Sequence, residues 1–156
     1  MSVEIERKFL VRSDAWHPAP RCMQIRQAYL CIGETNTIRV RLGDHQAWLT
    51  IKGPTLGGVR PEFEYAIPVA DAEQIAALSP YPEIEKTRHF VEFAHHLWEI
   101  DVFSGANEGL VLAEVELDAV DEAVQMPDWI GEEVTGDIRY HNAHLCRHPY
   151  TTWSPA

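Results

Sequence analysis

The chain has 156 residues, 46% of them hydrophobic, with 13 basic and 24 acidic side chains and a formal net charge of −11. Length and composition predict one globular domain, 1–156, with enough apolar surface for a core. The charge excludes a broad cationic face for long nucleic acid, and no apolar run reaches the roughly 18 residues of a membrane span.

Met1–Leu10 carries four charges where a secretion leader would be apolar, so the expected compartment is the cytoplasm. Period-two alternation predicts strands at Val3–Arg12, Met23–Cys31, Thr37–Leu42 and Gln46–Lys52, the last two joined by a hairpin at Gly43-Asp44-His45. After a flexible loop from Gly53 to Gly58 comes a strand at Pro61–Val69. Asp71 then caps a short helix, Ala72–Leu78, which stops before Pro80. Further strands follow at Glu85–Phe93, Leu97–Phe103 and Leu110–Asp118, with turns at His95-His96 and Ser104–Asn107. Asp121–Gln125 is a second helix candidate, and a third runs from Asp137 or Arg139 to Arg147. Cys22, Cys31 and Cys146 form no C-x-x-C pair and read as reduced thiols. Strands linked mainly by hairpins predict a meander that curls and closes, because closure removes exposed edges.

The charges follow the same alternation. Same-sign pairs at spacing two are Glu4/Glu6, Arg39/Arg41, Glu62/Glu64, Lys86/Arg88, Glu99/Asp101 and Glu114/Glu116, with Ile5, Val40, Phe63, Thr87, Ile100 and Val115 between them. Each pair therefore shares one strand face while the intervening residue takes the other. A solvated outer face accounts for any single strand, but solvent faces usually mix signs, and like charges side by side cost stability unless neutralised. Only three lysines, Lys8, Lys52 and Lys86, stand against ten arginines, and all three fall in this pattern. Turned inward, the rows give a wet lumen with a carboxylate patch and a cationic patch, since so many ions cannot be buried dry. Carboxylates suit hard divalent ions and arginine forks suit phosphate, so the matching ligand is a metal-chelated polyanion, most simply a short phosphate chain.

Glu4-Ile5-Glu6-Arg7-Lys8-Phe9-Leu10-Val11 resembles the E-x-E-x-K signature of the CYTH superfamily, the triphosphate tunnel metalloenzymes. Gln27-Ala28-Tyr29-Leu30, Arg39-Val40-Arg41, Lys52, Glu62-Phe63-Glu64, Lys86-Thr87-Arg88, Asp101 and Glu114-Val115-Glu116 follow in the family's order. The run from Trp129 to Asp137 and then Arg139-Tyr140-His141-Asn142 resembles its short bacterial branch. The resemblance implies a mainly β fold: an eight-stranded closed antiparallel β-barrel, the triphosphate tunnel, with a few outer helices and a C-terminal plug helix at Arg139–Arg147. It implies hydrolysis of inorganic tripolyphosphate to diphosphate and phosphate. Other branches act on thiamine triphosphate, nucleoside triphosphates or RNA 5′-triphosphate ends, and one cyclises ATP.

That resemblance and the charge logic together make Glu4, Glu6, Glu114, Glu116 and Asp101 expected metal ligands for Mg²⁺ or Mn²⁺, with two ions in the catalytic complex. Glu62 and Glu64 complete a second metal site or orient the cations. Lys8, Arg26, Arg39, Arg41, Lys52, Lys86 and Arg88 are expected to hold phosphate oxygens, and Lys8, Glu4, Glu6, Arg41 and Lys86 to be catalytic, chiefly by positioning and charge neutralisation. No G-x-x-x-x-G-K-[ST] is present, so the phosphates are not cradled by a P-loop. The expected partner is a small polyanion, tripolyphosphate or a nucleoside triphosphate, for a monomer or homodimer. Two alternatives remain open. A class IV-type adenylate cyclase needs a base pocket and activation of the ribose 3′-OH. A non-catalytic polyphosphate or nucleotide-binding module needs only the cationic half. An apolar-ligand carrier of lipocalin type is excluded by a charged lumen.

Overall fold

The computed structural model describes residues 2–153. Its strands are β1 (Val3–Glu4), β2 (Glu6–Val11), β3 (Arg21–Ile32), β4 (Thr37–Gly43), β5 (Gln46–Lys52), β6 (Arg60–Ile67), β7 (Ile84–Phe93), β8 (His96–Phe103), β9 (Val111–Glu116) and β10 (Ile130–Glu133). They form one antiparallel sheet in the order β1-β6-β5-β4-β3-β7-β8-β9-β2-β10. The mainly β, antiparallel class is as expected, but the ladder is linear rather than a closed ring. The reason lies at Ile5, where the first strand changes neighbour. β1 pairs with β6 at Val3↔Pro61, and the Ser2 carbonyl accepts the Glu62 N–H at 2.9 Å. β2 then pairs with β9 from Glu6↔Glu116 to Leu10↔Leu112, and the Ile5 carbonyl accepts the Leu117 N–H at 2.8 Å. One segment thus serves both margins of a strongly curled wall.

Alternation sorts the side chains between its two faces. On β4, Arg39 and Arg41 line the internal cavity, whereas Val40 and Leu42 pack outward with Ala28 and Ala47 beneath Ala72 and Ala76 of α1 (Val69–Ala76). On the opposite flank, Phe9, Trp98, Ile100, Ala113 and Val115 form an outer core covered by Trp16 and Trp129. The inward rows change character along their length. Glu6 and Lys8 give way to Leu10, Glu99 and Asp101 to Phe103, Glu116 and Glu114 to Leu112, and Arg88 and Lys86 to Ile84. These apolar ends meet Tyr140, Leu145 and Cys146 in a third buried cluster, which floors the cavity.

Several local expectations are corrected. The β4–β5 hairpin turns on Asp44 and His45, both in the left-handed region, and the next one turns on Ala94 and His95, one residue earlier than expected. α1 begins after Pro68 with no side-chain cap. Asp71 lies in its first turn, where the helix dipole favours an acid. No helix forms at Asp121–Gln125; Glu122 instead accepts the Asp118 N–H and meets the His96 ring, pinning a loop. β10 lies where the alternation predicts no strand, and it joins β2 through a bulged register. The expected C-terminal helix is two pieces, a 3₁₀ turn at Ile138–Tyr140 and the single turn α2 (Asn142–Leu145), because the extended backbone of His141 separates them.

Candidate active site

The curled wall encloses a cavity of about 1030 Å³ lined by charged side chains. Most of its cations come from four inward rows, with Arg60 on β6 and Arg147 in the C-terminal segment also lining it. Lys8 on β2 is buried, 3.5 Å from Glu114, and donates to the Tyr140 carbonyl at 3.2 Å. Lys52 on β5 holds Glu4 at 2.9 Å and Glu62 at 3.4 Å. On β7, Lys86 contacts Asp101 at 2.8 Å, and Arg88 forks onto the same carboxylate at 2.8 and 3.0 Å while reaching Glu99 at 2.8 Å. The two arginines of β4 differ from these. Among the described residues, Arg41 donates only to the neutral Gln27 side chain, at 2.8 Å, and the buried Arg39 Nε has no hydrogen-bond partner. A buried guanidinium N–H without an acceptor is costly, and an anion in the cavity relieves it. Burial, then the charges of Arg39 and Arg88, pull Arg41 down to about 10.

The acids gather across the cavity. One carboxylate oxygen each from Glu4, Glu62 and Glu116 lies within 4.8 Å of the other two. Glu6, Glu64, Glu99 and Glu114 also line the space, Glu64 accepting from the Thr50 hydroxyl at 2.9 Å. Burial, followed by Glu114 and Glu4, pushes Glu6 up to about 8, and burial followed by Glu4 pushes Glu62 up to about 7. Glu99 and Glu116 are raised as well, first by burial. Burial would also raise Glu114, but Lys8 and Arg88 outweigh it and hold the group at about 2. Against burial, Lys52 keeps Glu4 below its ordinary value, but one lysine does not balance this all-oxygen cluster. Glu6, Glu62 and Glu116 are left short of a counter-charge that a hard divalent cation supplies. The donor set fits such an ion.

Most expected site residues reach the cavity, and two do not. Arg26 sits outside, forked between Glu73 and Glu83 at 3.0 Å each, because alternation along β3 turns Gln27 and Tyr29 inward and Arg26 outward. Asp101 is 1% exposed and lies beneath Lys86 and Arg88, away from the Glu4–Glu62–Glu116 group. Burial alone would raise it, yet Arg88 and Lys86 hold it well below the carboxylate range. Its strand neighbour Glu99 faces the cavity instead. The same-sign pair Glu99/Asp101 announced both, but not which of them reaches the void. Gln27 and Asn142, buried among the cations, carried no charge to mark them.

A family model described as the CYTH domain matches residues 2–150. An inorganic triphosphatase of Acetivibrio thermocellus is 44% identical, the match covering 96% of this chain and 97% of the relative. An inorganic triphosphatase of Nitrosomonas europaea is 38% identical over 91% of this chain and 95% of its own. Among solved structures, an inorganic triphosphatase at 34% identity superposes with a TM-score of 0.65, covering 92% of this chain and 97% of that one. A Pyrococcus horikoshii protein at 16% identity shares the fold, with a TM-score of 0.61 over 76% and 80% of the two chains.

Proposed function

The chain belongs to the CYTH family, and from that premise we propose that it is a metal-dependent hydrolase that cleaves inorganic tripolyphosphate to diphosphate and phosphate. The observation that carries this reading is the pairing, in one blind cavity, of a three-carboxylate cluster with a cationic wall whose Arg39 Nε is buried and unpartnered. Lys8, Arg39, Arg41, Lys52, Lys86 and Arg88 take the phosphate oxygens. Glu4, Glu62 and Glu116 hold the metal, Mg²⁺ or Mn²⁺, and Glu6, Glu64 and Glu114 line the same cavity, where a second ion would draw on them. Bound there, the metal supplies charge neutralisation and a water of lowered pKa.

The protein's own contribution is positioning and electrostatics. A water oxygen bonds to the terminal phosphorus as the bridging P–O bond breaks. The electron pair leaves with diphosphate, where Arg41 and Lys86 meet the growing charge, and the water proton passes to a carboxylate of the acidic wall, Glu6 among them once it has lost its own proton beside the bound cation. Lys8, between Glu114 and the cavity floor, anchors the chain during this exchange. The net charge of −11 disfavours long nucleic acid, and among the described residues no helix is long and apolar enough to cross a membrane. We place the enzyme in the cytoplasm as a monomer or homodimer acting on a small polyanion.

The test is a phosphate-release panel with tripolyphosphate, ATP, thiamine triphosphate and diphosphate, each with Mg²⁺, Mn²⁺ or a chelator. Tripolyphosphate is expected to be the best substrate, to give equal amounts of phosphate and diphosphate, and to be inert under chelation. No cleavage of tripolyphosphate in any condition would overturn the reading.

A further inference from the structure

Two buried carboxamides stand among the phosphate-facing cations. Gln27 on β3 is fully buried, and Asn142 opens α2 at the cavity floor, 8% exposed. Asn142 Oδ1 accepts from Lys86 Nζ at 2.9 Å and from Gln27 Nε2 at 3.3 Å. Gln27 Oε1 accepts from Arg41 Nε at 2.8 Å. The chain of bonds Arg41–Gln27–Asn142–Lys86 therefore crosses the wall from β4 through β3 to the C-terminal segment and β7. Among the described residues no carboxylate lies within 4.0 Å of a charged Arg41 nitrogen. A carboxylate at either amide position would direct the cation equally well but add a negative charge against it; a carboxamide directs it and adds none.

We propose that Gln27 and Asn142 are positioning residues: Gln27 aims Arg41 at the phosphate chain without neutralising it, and Asn142 orients Lys86, whose charge Asp101 already meets, without adding a second carboxylate. The inference rests on the triphosphatase reading above. It also gives the C-terminal segment a second task. Tyr140 offers its carbonyl to Lys8 and Asn142 its side chain to Lys86, so the segment that floors the cavity orients two of its three lysines through uncharged acceptors. Leu145, fully buried in the floor cluster, keeps both acceptors in place.

The test compares charge with shape. Gln27→Glu and Asn142→Asp keep the acceptor and add a charge, Gln27→Glu also giving up its Nε2 donor to Asn142, whereas Gln27→Ala and Asn142→Ala remove the whole carboxamide without adding charge. Steady-state kinetics with tripolyphosphate, thermal melts and calorimetric binding of tripolyphosphate in metal-free buffer are measured for each. The acidic variants are expected to raise KM and Kd by about tenfold or more, with the melting temperature held. The alanine variants are expected to lower kcat with a smaller change in KM, because the cations keep their charge and lose their aim. Acidic and alanine variants that behave alike, or like a wild-type protein that cleaves tripolyphosphate, would overturn this inference alone. A wild-type protein that cleaves no tripolyphosphate would overturn the functional reading and this inference together. Should the Asn142 variants fail to fold, the Gln27 pair decides the question from a strand outside the C-terminal segment.

Discussion

Arg39 and Asp101 are both buried and both charged, yet their substitution should have opposite consequences for stability. Among the described residues Arg39 Nε lacks a partner, so Arg39→Met removes a buried donor that the free protein leaves unpaired. The melting temperature is expected to hold or rise while KM for tripolyphosphate increases about tenfold or more, the signature of a residue kept for binding. Asp101 neutralises Lys86 and Arg88 together. Asp101→Asn should cost about 3–5 kcal/mol, because it strands cations in the wall. Denaturant melts of the two variants beside wild type check both signs, and a destabilised Arg39→Met would contradict the first. At this scale the sequence was legible wherever charge alternated. Glu4, Glu62, Glu116, Arg39 and Arg41 reach the cavity as alternation and the family resemblance together imply, and Lys52, which sits in no alternating pair, does so as the resemblance implies. Arg26 was misplaced because its neighbours on β3, Gln27 and Tyr29, are the inward residues and carry no formal charge to reveal the parity.

At the scale of elements, long alternating strands were legible and short pieces were not. β10 has four residues and a bulge, too few for a period to emerge, and its existence depends on the edge that β2 offers. The split of the first strand at Ile5 is equally invisible locally, since both halves alternate and only the choice of neighbour changes. α2 is a single turn that no isolated peptide would sustain, so packing rather than propensity holds it. Leu145 is its anchor, with no exposed surface, against Tyr29, Ile84, Phe103 and Leu112. Leu145→Ala is expected to destabilise the protein by about 2–5 kcal/mol. It should also reduce kcat/KM more than a core truncation of equal cost outside the cavity rows, such as Ile130→Ala on β10, because Asn142 and Tyr140 lose their seat. Matching melting temperatures by adding denaturant to the milder variant separates the two effects. Equal losses of kcat/KM at equal stability would show that the floor acts on stability alone.

For the molecule as a whole, the balance of charge inside one cavity sets how stability responds to pH and metal. In the metal-free protein Glu6 and Glu62 ionise only near pH 8 and pH 7, against an unfolded carboxylate near 4.3. A folded-state pKa raised above the unfolded one means that the folded protein binds more protons across that window. Stability is then lost as pH rises from about 5 to 8. Asp101 and Glu114 have the opposite sign. Both lie below their unfolded values, so their stabilisation is complete above about pH 5 and disappears only in acid. These carboxylates make the metal-free protein most stable near pH 5, flanked by an acid limb from the ion-paired groups and a neutral-to-alkaline limb from the acidic cluster. His141, pulled down to about 4 first by burial, and Lys86, pulled down to about 7 first by burial, favour the folded state as pH rises through about 4 to 6.5 and above about 7, offsetting part of the neutral decline without reversing it. A divalent cation that binds the ionised cluster favours the folded state by mass action and erases the second limb only. Melting curves from pH 3 to 9, with chelator and then with saturating Mg²⁺ or Mn²⁺, should show a metal-free decline of roughly 5 °C or more between pH 5 and 8. That decline should flatten with either ion, while the acid limb stays where it was. Glu62→Gln removes one proton-retaining group and the like charge beside Glu4, so it should flatten the metal-free decline in part and weaken the ion's effect. A metal-free profile that rises from pH 5 to 8 would mean that the acids are already compensated within the protein, and the cluster of Glu4, Glu62 and Glu116 would then not be a metal site.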